Sequence, residues 1–116
     1  MIHQVKDGYV KNETHQGITT IEFFHPKGNS LPCKILEELA KEIHFAGTHD
    51  ETKVIILRSE GSSTFCSGAS FDELLTIETE TAGAQFFNGF ANVINAMRRC
   101  PKFIICLLYT SPSPRD

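Results

Sequence analysis

Polar and apolar positions along residues 9–24 predict a hairpin. Tyr9 to His15 is a polar, strand-compatible run, Gln16-Gly17 is a turn, and Ile18 to Phe24 is rich in β-branched and aromatic residues. In the second run Thr19, Ile21 and Phe23 share one face and Thr20 and Glu22 the other, as suits a sheet buried on one side. His25-Pro26-Lys27-Gly28-Asn29 breaks the strand, because Pro26 has no amide donor and Gly28 tolerates positive φ. The period then changes to that of a helix. Ile35, Leu36, Leu39, Ala40, Ile43 and Ala46 recur at offsets of three and four, with Ser30 a candidate cap, Pro32 in the first turn and Gly47 the stop. Glu37, Glu38 and Glu42 fall on the solvated side of that helix.

Val54-Ile55-Ile56-Leu57 is a short continuous apolar run, the pattern of a strand covered on both faces. Small residues from Ser67 to Ser70 then lead into a short helical segment, Phe71 to Leu75. Thr81 to Arg99 is the longest helical pattern. Phe86, Phe90, Val93 and Met97, beside Phe87, Ala91 and Ile94, give it a broad buried face, and Arg98 and Arg99 suit its C-terminal end. Pro101 ends it, and Phe103 to Leu108 reads as another buried strand. Two strands, helix, strand, small-residue turn, helix and strand in this order predict an α/β layer with parallel pairing.

The 116 residues are enough for one domain or part of one, and 41% hydrophobic with 22% charged residues predicts a packed core. A formal charge of -3 provides no broad cationic field for nucleic acid or an anionic membrane surface, so neither is an expected partner. No apolar run reaches the roughly 18 residues that span a bilayer, and the N-terminus has neither a signal nor a transit pattern, so a cytoplasmic location is expected. Cys33, Cys66, Cys100 and Cys106 contain no Cys-x-x-Cys, and the five histidines miss metal-binding helical spacing. The expectation is reduced, mostly buried thiols and no metal site.

Candidate chemistry concentrates between Ser59 and Leu75. Ser67, Gly68, Ala69 and Ser70 are small enough to let a ligand reach backbone amides at a helix start, where N–H groups are ready donors to an anion or a developing oxyanion. The same residues also read as a Gly-Ser loop that only turns the chain. Phosphate-loop, dinucleotide-fold and nucleophile-elbow motifs are absent. Cys66 beside Phe65 reads as a small core residue rather than a nucleophile. Asp72 and Glu73 read as surface or loop contacts rather than acid or base groups.

Three segments resemble one family. Pro26-Lys27-Gly28-Asn29-Ser30-Leu31 looks like the Pro-Lys-x-x-Asn-Ala-Leu segment of the crotonase, or enoyl-CoA hydratase/isomerase, superfamily, shortened by one residue. Phe65 to Leu74 is similar to its Phe-Cys/Ala-Ala/Ser-Gly-Ala-Asp-x-x-Glu segment, and Arg99-Cys100-Pro101-Lys102-Phe103-Ile104-Ile105 resembles its Cys-Pro-Lys-Pro-Val-Ile-Ala strand. The resemblance implies the N-terminal part of a β-β-α spiral fold, over residues 1–106. It implies that Ala69 provides a backbone N–H of an oxyanion hole for an acyl-CoA thioester. Ser67, Gly68, Ser70, Phe71 and Asp72 then lie along the substrate, and Lys27 near a phosphate of the CoA nucleotide. Ser70 stands where the family often has aspartate. The substrate is the CoA thioester itself, with no separate cofactor.

The resemblance further implies a parent enzyme, a lyase or isomerase of fatty acid metabolism, assembled as a homotrimer or hexamer. The family's second oxyanion donor and catalytic glutamates have no counterpart here, so this chain is expected to be inactive. Residues 107–116 are expected to be a disordered tail, similar to translated adaptor or vector sequence. On that reading the strand Phe103 to Leu108 becomes an apolar edge, the chain is prone to aggregate, and charges at Ile104 and Leu107 raise solubility. The alternative is a non-enzymatic small α/β binding or interaction module ending at Asp116.

Overall fold

The computed structural model describes residues 2–5, 8–26, 29–60, 65–66 and 68–107. Strands β1 (Ile2–Val5), β2 (Gly8–His15) and β3 (Ile18–Phe24) form an antiparallel meander. The β2–β3 turn is the expected one: Gln16 and Gly17 both have positive φ, 51° and 84°, which matches the twist a two-residue hairpin needs. β4 (Ser30–Leu31) and α1 (Cys33–Thr48) then lead to β5 (Val54–Ser59), parallel to β3. β6 (Gly68–Ala69), α2 (Phe71–Leu74) and α3 (Glu80–Arg99) precede β7 (Phe103–Cys106), parallel to β5. The main sheet runs β1-β2-β3-β5-β7, and β4 and β6 make a second, two-stranded parallel sheet.

One face of the main sheet carries the core. Val10, Thr19, Ile21, Phe23, Ile55 and Leu57 are buried there against Ile35, Leu36, Leu39, Ile43 and Ala46 of α1. Each fully buried aliphatic or aromatic side chain stabilises by about 1.5–3 kcal/mol, and this interlocked set is the main apolar contribution. α3 packs on α1 through Gly89 and Val93, with Phe90, Ala96 and Met97 beside them. A Cβ on Gly89 would lie 3.1 Å from Leu36 Cδ1, so glycine sets how closely the helices cross.

Several expectations are corrected. Ser30 does not cap α1: it belongs to β4, and the N-cap is Pro32, with no side-chain cap bond. Gly47 does not stop the helix, which runs on to Thr48. Gly47 is instead buried against Cys100, where a Cβ would lie 3.1 Å from the Sγ. Glu42 is not on the solvated side. It continues the Ile35-Leu39-Glu42-Ala46 stripe, is buried, and accepts from Asn12 Nδ2 of β2. β5 is covered fully on one face only, since Ile55, Leu57 and Ser59 are buried while Val54, Ile56 and Arg58 are half-buried. The face of α3 is narrower than its composition suggests: Phe87 is 54% and Ile94 55% exposed, because one helix neighbour covers only one stripe.

β7 is an edge strand. Ile104 points to the core face, and Phe103 (81% exposed) and Ile105 lie on the open one. Leu107 N–H still donates to Leu57 O at 2.9 Å, extending the ladder one residue past β7. The tail expected over residues 107–116 otherwise lies outside the described residues. The cysteines are free. Cys33, Cys66 and Cys100 are half-buried, and Cys106 is exposed rather than buried.

Candidate functional site

The second sheet brings together two strand-to-helix turns. Ser30 pairs with Gly68 and Leu31 with Ala69, so the turn from β4 into α1 lies alongside the turn from β6 into α2. Ser70 N–H donates to Leu31 O at 3.3 Å. Successive amides of an extended strand point to opposite edges, so the Ala69 N–H is directed away from β4. Gly68 has φ +103°, a region that disfavours side chains, although a Cβ there would meet nothing within 4 Å. Glycine is needed for the backbone angle, and the space beside it is open.

Side chains fix this arrangement from several directions. Phe65 packs edge-on against the buried Phe23, with ring centroids 5.2 Å apart, tying the approach to β6 to the sheet. The Ser70 side chain is buried and its Oγ accepts from Glu73 N–H at 3.3 Å, starting α2. Glu73 Oε1 accepts from Cys33 N–H at 2.7 Å, so a carboxylate of α2 sits on the N-terminus of α1. Glu73 is the loop contact that its sequence suggested. Asn29, in the left-handed region at φ 57°, accepts from His25 N–H at 2.8 Å and donates through Nδ2 to Glu60 O at 2.9 Å. It thereby holds the loop before β4 to the end of β5.

Among the sequence-derived candidates, Gly68, Ala69 and Ser70 are contiguous in β6 and at its end, and Phe71 and Asp72 begin α2. The positions of Lys27 and Ser67 lie outside the described residues. Cys66 has its thiol pushed above the ordinary range by burial, partly offset by a hydrogen bond from Gly68 N–H at 3.4 Å. That is the opposite of nucleophile activation. Among the described residues no group of three or more His, Cys, Asp or Glu is placed to hold a metal ion.

Two structural contacts were not read from the residues. Lys102, noted only within a motif, donates from Nζ to Ala46 O at 3.3 Å and to His49 O, closing the C-terminal end of α1. Glu22, placed on the outer face, is buried there: it accepts from Tyr9 OH at 2.7 Å and pairs with Lys11 at 3.4 Å and Arg58 at 3.3 Å. The alternation of β3 and the matching cations on its two neighbours carry the signal for this cluster. A cavity of about 310 Å3 lies elsewhere, between α1 and α3, lined by His44, Thr48, Asn92, Asn95 and Arg99 among others. No helix among the described residues is long and apolar enough to cross a membrane.

Comparison with known proteins matches residues 13–108 to the family model described as Enoyl-CoA hydratase/isomerase. A Rhodococcus jostii protein named (7aS)-7a-methyl-1,5-dioxo-2,3,5,6,7,7a-hexahydro-1H-indene-carboxyl-CoA hydrolase is 30% identical over 93 residues, 80% of this chain and 32% of its own. Its Mycobacterium tuberculosis namesake is 31% identical over 84 residues, 72% of this chain and 30% of its own. This chain thus spans about a third of the length of the curated relatives it matches. Among solved structures, an enoyl-CoA hydratase/carnithine racemase from Magnetospirillum magneticum superposes with a TM-score of 0.76 at 22% identity, over 86% of this chain and 38% of that one. An enoyl-CoA hydratase from Bacillus anthracis gives 0.77 at 20% identity, over 85% and 39%. The α/β architecture is therefore part of the crotonase-like fold expected from the motifs.

Proposed function

Because the chain belongs to the enoyl-CoA hydratase/isomerase family, we propose that it supplies one wall of a coenzyme A thioester site, with the Ala69 N–H as an oxyanion donor. The observation that carries this is the register of β6. With Ser70 N–H turned to Leu31 O, the Ala69 N–H faces away from β4, beside the open space at Gly68. A fixed amide of this kind costs no reorganisation as charge builds on the thioester oxygen, and one such donor is worth about 100- to 1,000-fold in rate. Ser67, Phe71 and Asp72 line the thioester's path and Lys27 meets a phosphate. Ser70 acts through its backbone, its hydroxyl being engaged with Glu73.

In the parent protein, a cytoplasmic trimer or hexamer of fatty acid metabolism, carboxyl groups from outside this chain take a proton from water as its oxygen bonds to the β-carbon of a 2-enoyl thioester. The π electrons pass to the thioester oxygen as the enolate, and a proton then returns to the α-carbon; a double-bond shift moves a proton through the same enolate. The chain alone is inactive. A second reading, thioester-linked hydrolysis, is favoured by the names of the two relatives above. It uses the same donor and differs in the groups placed opposite. The test is titration of the isotopically labelled 116-residue chain with crotonyl-CoA, followed by backbone NMR and a hydration assay. Amide shifts centred on Gly68, Ala69 and Ser70, lost in Ala69→Pro, with no hydration, are expected. Shifts confined to other segments would overturn the site, and hydration that follows the protein through purification would overturn the inactivity.

A further inference from the structure

We propose that Glu73 is the positioning residue of this site, holding the Ala69 amide in place by closing a hydrogen-bonded ring across the two strand-to-helix turns. The purpose of the ring rests on the oxyanion reading of Ala69, but its geometry does not.

The need for such a residue starts at α1. The first amides of any helix lack intrahelical partners, and Pro32, the N-cap, has no side-chain oxygen to offer them. Cys33 N–H is satisfied instead by a carboxylate 40 residues further along the chain, at 2.7 Å. That bond lies at the positive end of a 16-residue helix, where a carboxylate acceptor suits the unpaired amides.

The ring can be followed bond by bond. From Cys33 it passes back through Pro32 to Leu31, whose carbonyl accepts from Ser70 N–H. From Ser70 it goes on through the first turn of α2, where Glu73 N–H donates to Ser70 Oγ and Leu74 N–H to Ser70 O at 3.0 Å. Glu73 Oε1 then returns to Cys33 N–H. Ala69 precedes this ring by one residue and pairs with Leu31 inside it. A two-residue parallel ladder has little stability alone. With the Glu73 bond removed, the contacts left among the described residues to hold Ala69 in register are the Ser70-to-Leu31 bond at 3.3 Å, the short β4–β6 ladder and the Phe65–Phe23 packing upstream of it. The surroundings agree: the Cys33 thiol is pushed above its ordinary range, first by burial and then by the Glu73 and Glu37 carboxylates.

The test is amide hydrogen exchange, read by NMR on the full 116-residue chain. In Glu73→Ala, exchange at Cys33 and Ser70 should accelerate at least about tenfold, the factor one charge-assisted bond carries, while Val10 and Ile21 in the core keep their rates. Glu73→Gln, which retains an acceptor oxygen, should bring both amides back to within about threefold of the parent, since a neutral acceptor is weaker than a charged one. Unchanged exchange at Cys33 and Ser70, uniform acceleration across all amides, or no rescue by glutamine would each overturn the proposal. If the alanine variant does not fold, the glutamine variant decides: its acceleration must be confined to these two turns. Failure of the oxyanion reading would show separately, as a parent chain whose Ala69 amide is unmoved by crotonyl-CoA.

Discussion

Replacing Lys102 with methionine isolates what a tertiary cation contributes at the end of α1. Methionine keeps most of the aliphatic stem and removes the ammonium, which donates to Ala46 O and His49 O from a half-buried position. A hydrogen bond to a charged group contributes about 1.5–3 kcal/mol, and a cation at a helix C-terminus adds about 0.3–1 kcal/mol. The two carbonyls share one donor group and water recovers part of the loss, so about 2–3 kcal/mol is expected for the substitution. At roughly 2.1 cal/mol/K per residue, each kcal/mol moves the melting temperature of a chain this size by about 4 °C, giving a fall of about 8–12 °C. The assays are thermal unfolding followed by circular dichroism, which reads that fall, and urea unfolding, in which the midpoint should fall with the slope unchanged. Lys41→Met is the control: its pair with Glu38 is 3.8 Å long on a side chain 71% exposed, and the change should cost under about 0.5 kcal/mol. A Lys102→Met variant as stable as the Lys41→Met control would refute the reasoning.

Two further outcomes follow from the open face of the sheet. Burial, followed by the Glu22 carboxylate, pushes the Tyr9 phenol well above its ordinary range. The folded chain therefore holds that proton more tightly, and the stability Tyr9 contributes is complete below its unfolded value of about 10 and is lost as pH rises beyond it. Tyr9→Phe should be less stable than the parent by about 1 kcal/mol near neutral pH, and the gap should close above pH of about 10; a constant gap across that range would refute the linkage. At β7, lysine at both Phe103 and Ile105 should shift the chain from self-associated species to monomer in sedimentation, because those side chains lie on the open face of an unpaired edge. Ile104→Lys, chosen from sequence as a solubilising change, should instead destabilise, since Ile104 packs against the core.

The hairpin was legible because two signals coincided, alternation along Ile18–Phe24 and a Gln-Gly turn that accepts positive φ. The buried stripe of α1 was legible too, apart from Glu42, where residue type hid the position and Asn12 across the gap supplied the partner. β4 and β6 were not legible. Two residues contain no period, and their pairing depends on a contact between Leu31 and Ala69 that no local pattern encodes. The first two motif segments meet at the paired strands β4 and β6, and within the motif segments Asn29, Glu73 and Lys102 act as connectors between distant backbone groups. Resemblance identified those residues, and only geometry gave their physical role. The composition of β7 is that of a buried strand; that it is an apolar edge here followed from the reading of the chain as part of a larger fold, and the sheet order agrees.

The long reach of the contacts on α1 has a consequence for how the chain matures on the ribosome. The helix is translated well before either of its end partners: Glu73 follows Cys33 by 40 residues, and Lys102 follows His49 by 53. At about 5–20 residues per second, those intervals are roughly 2–8 and 3–11 seconds during which the nascent helix lies on the hairpin with its N-terminal amide waiting and its last carbonyls facing water. Apolar packing against Ile21 and Phe23 can begin in that time, but the frame of the helix is settled only when the two later segments arrive. Synthesis order thus makes the N-terminal end of α1 wait for the turn at Ala69 and its C-terminal end wait longer, for the entry to β7, and a pause in translation between them would lengthen the life of a half-anchored intermediate.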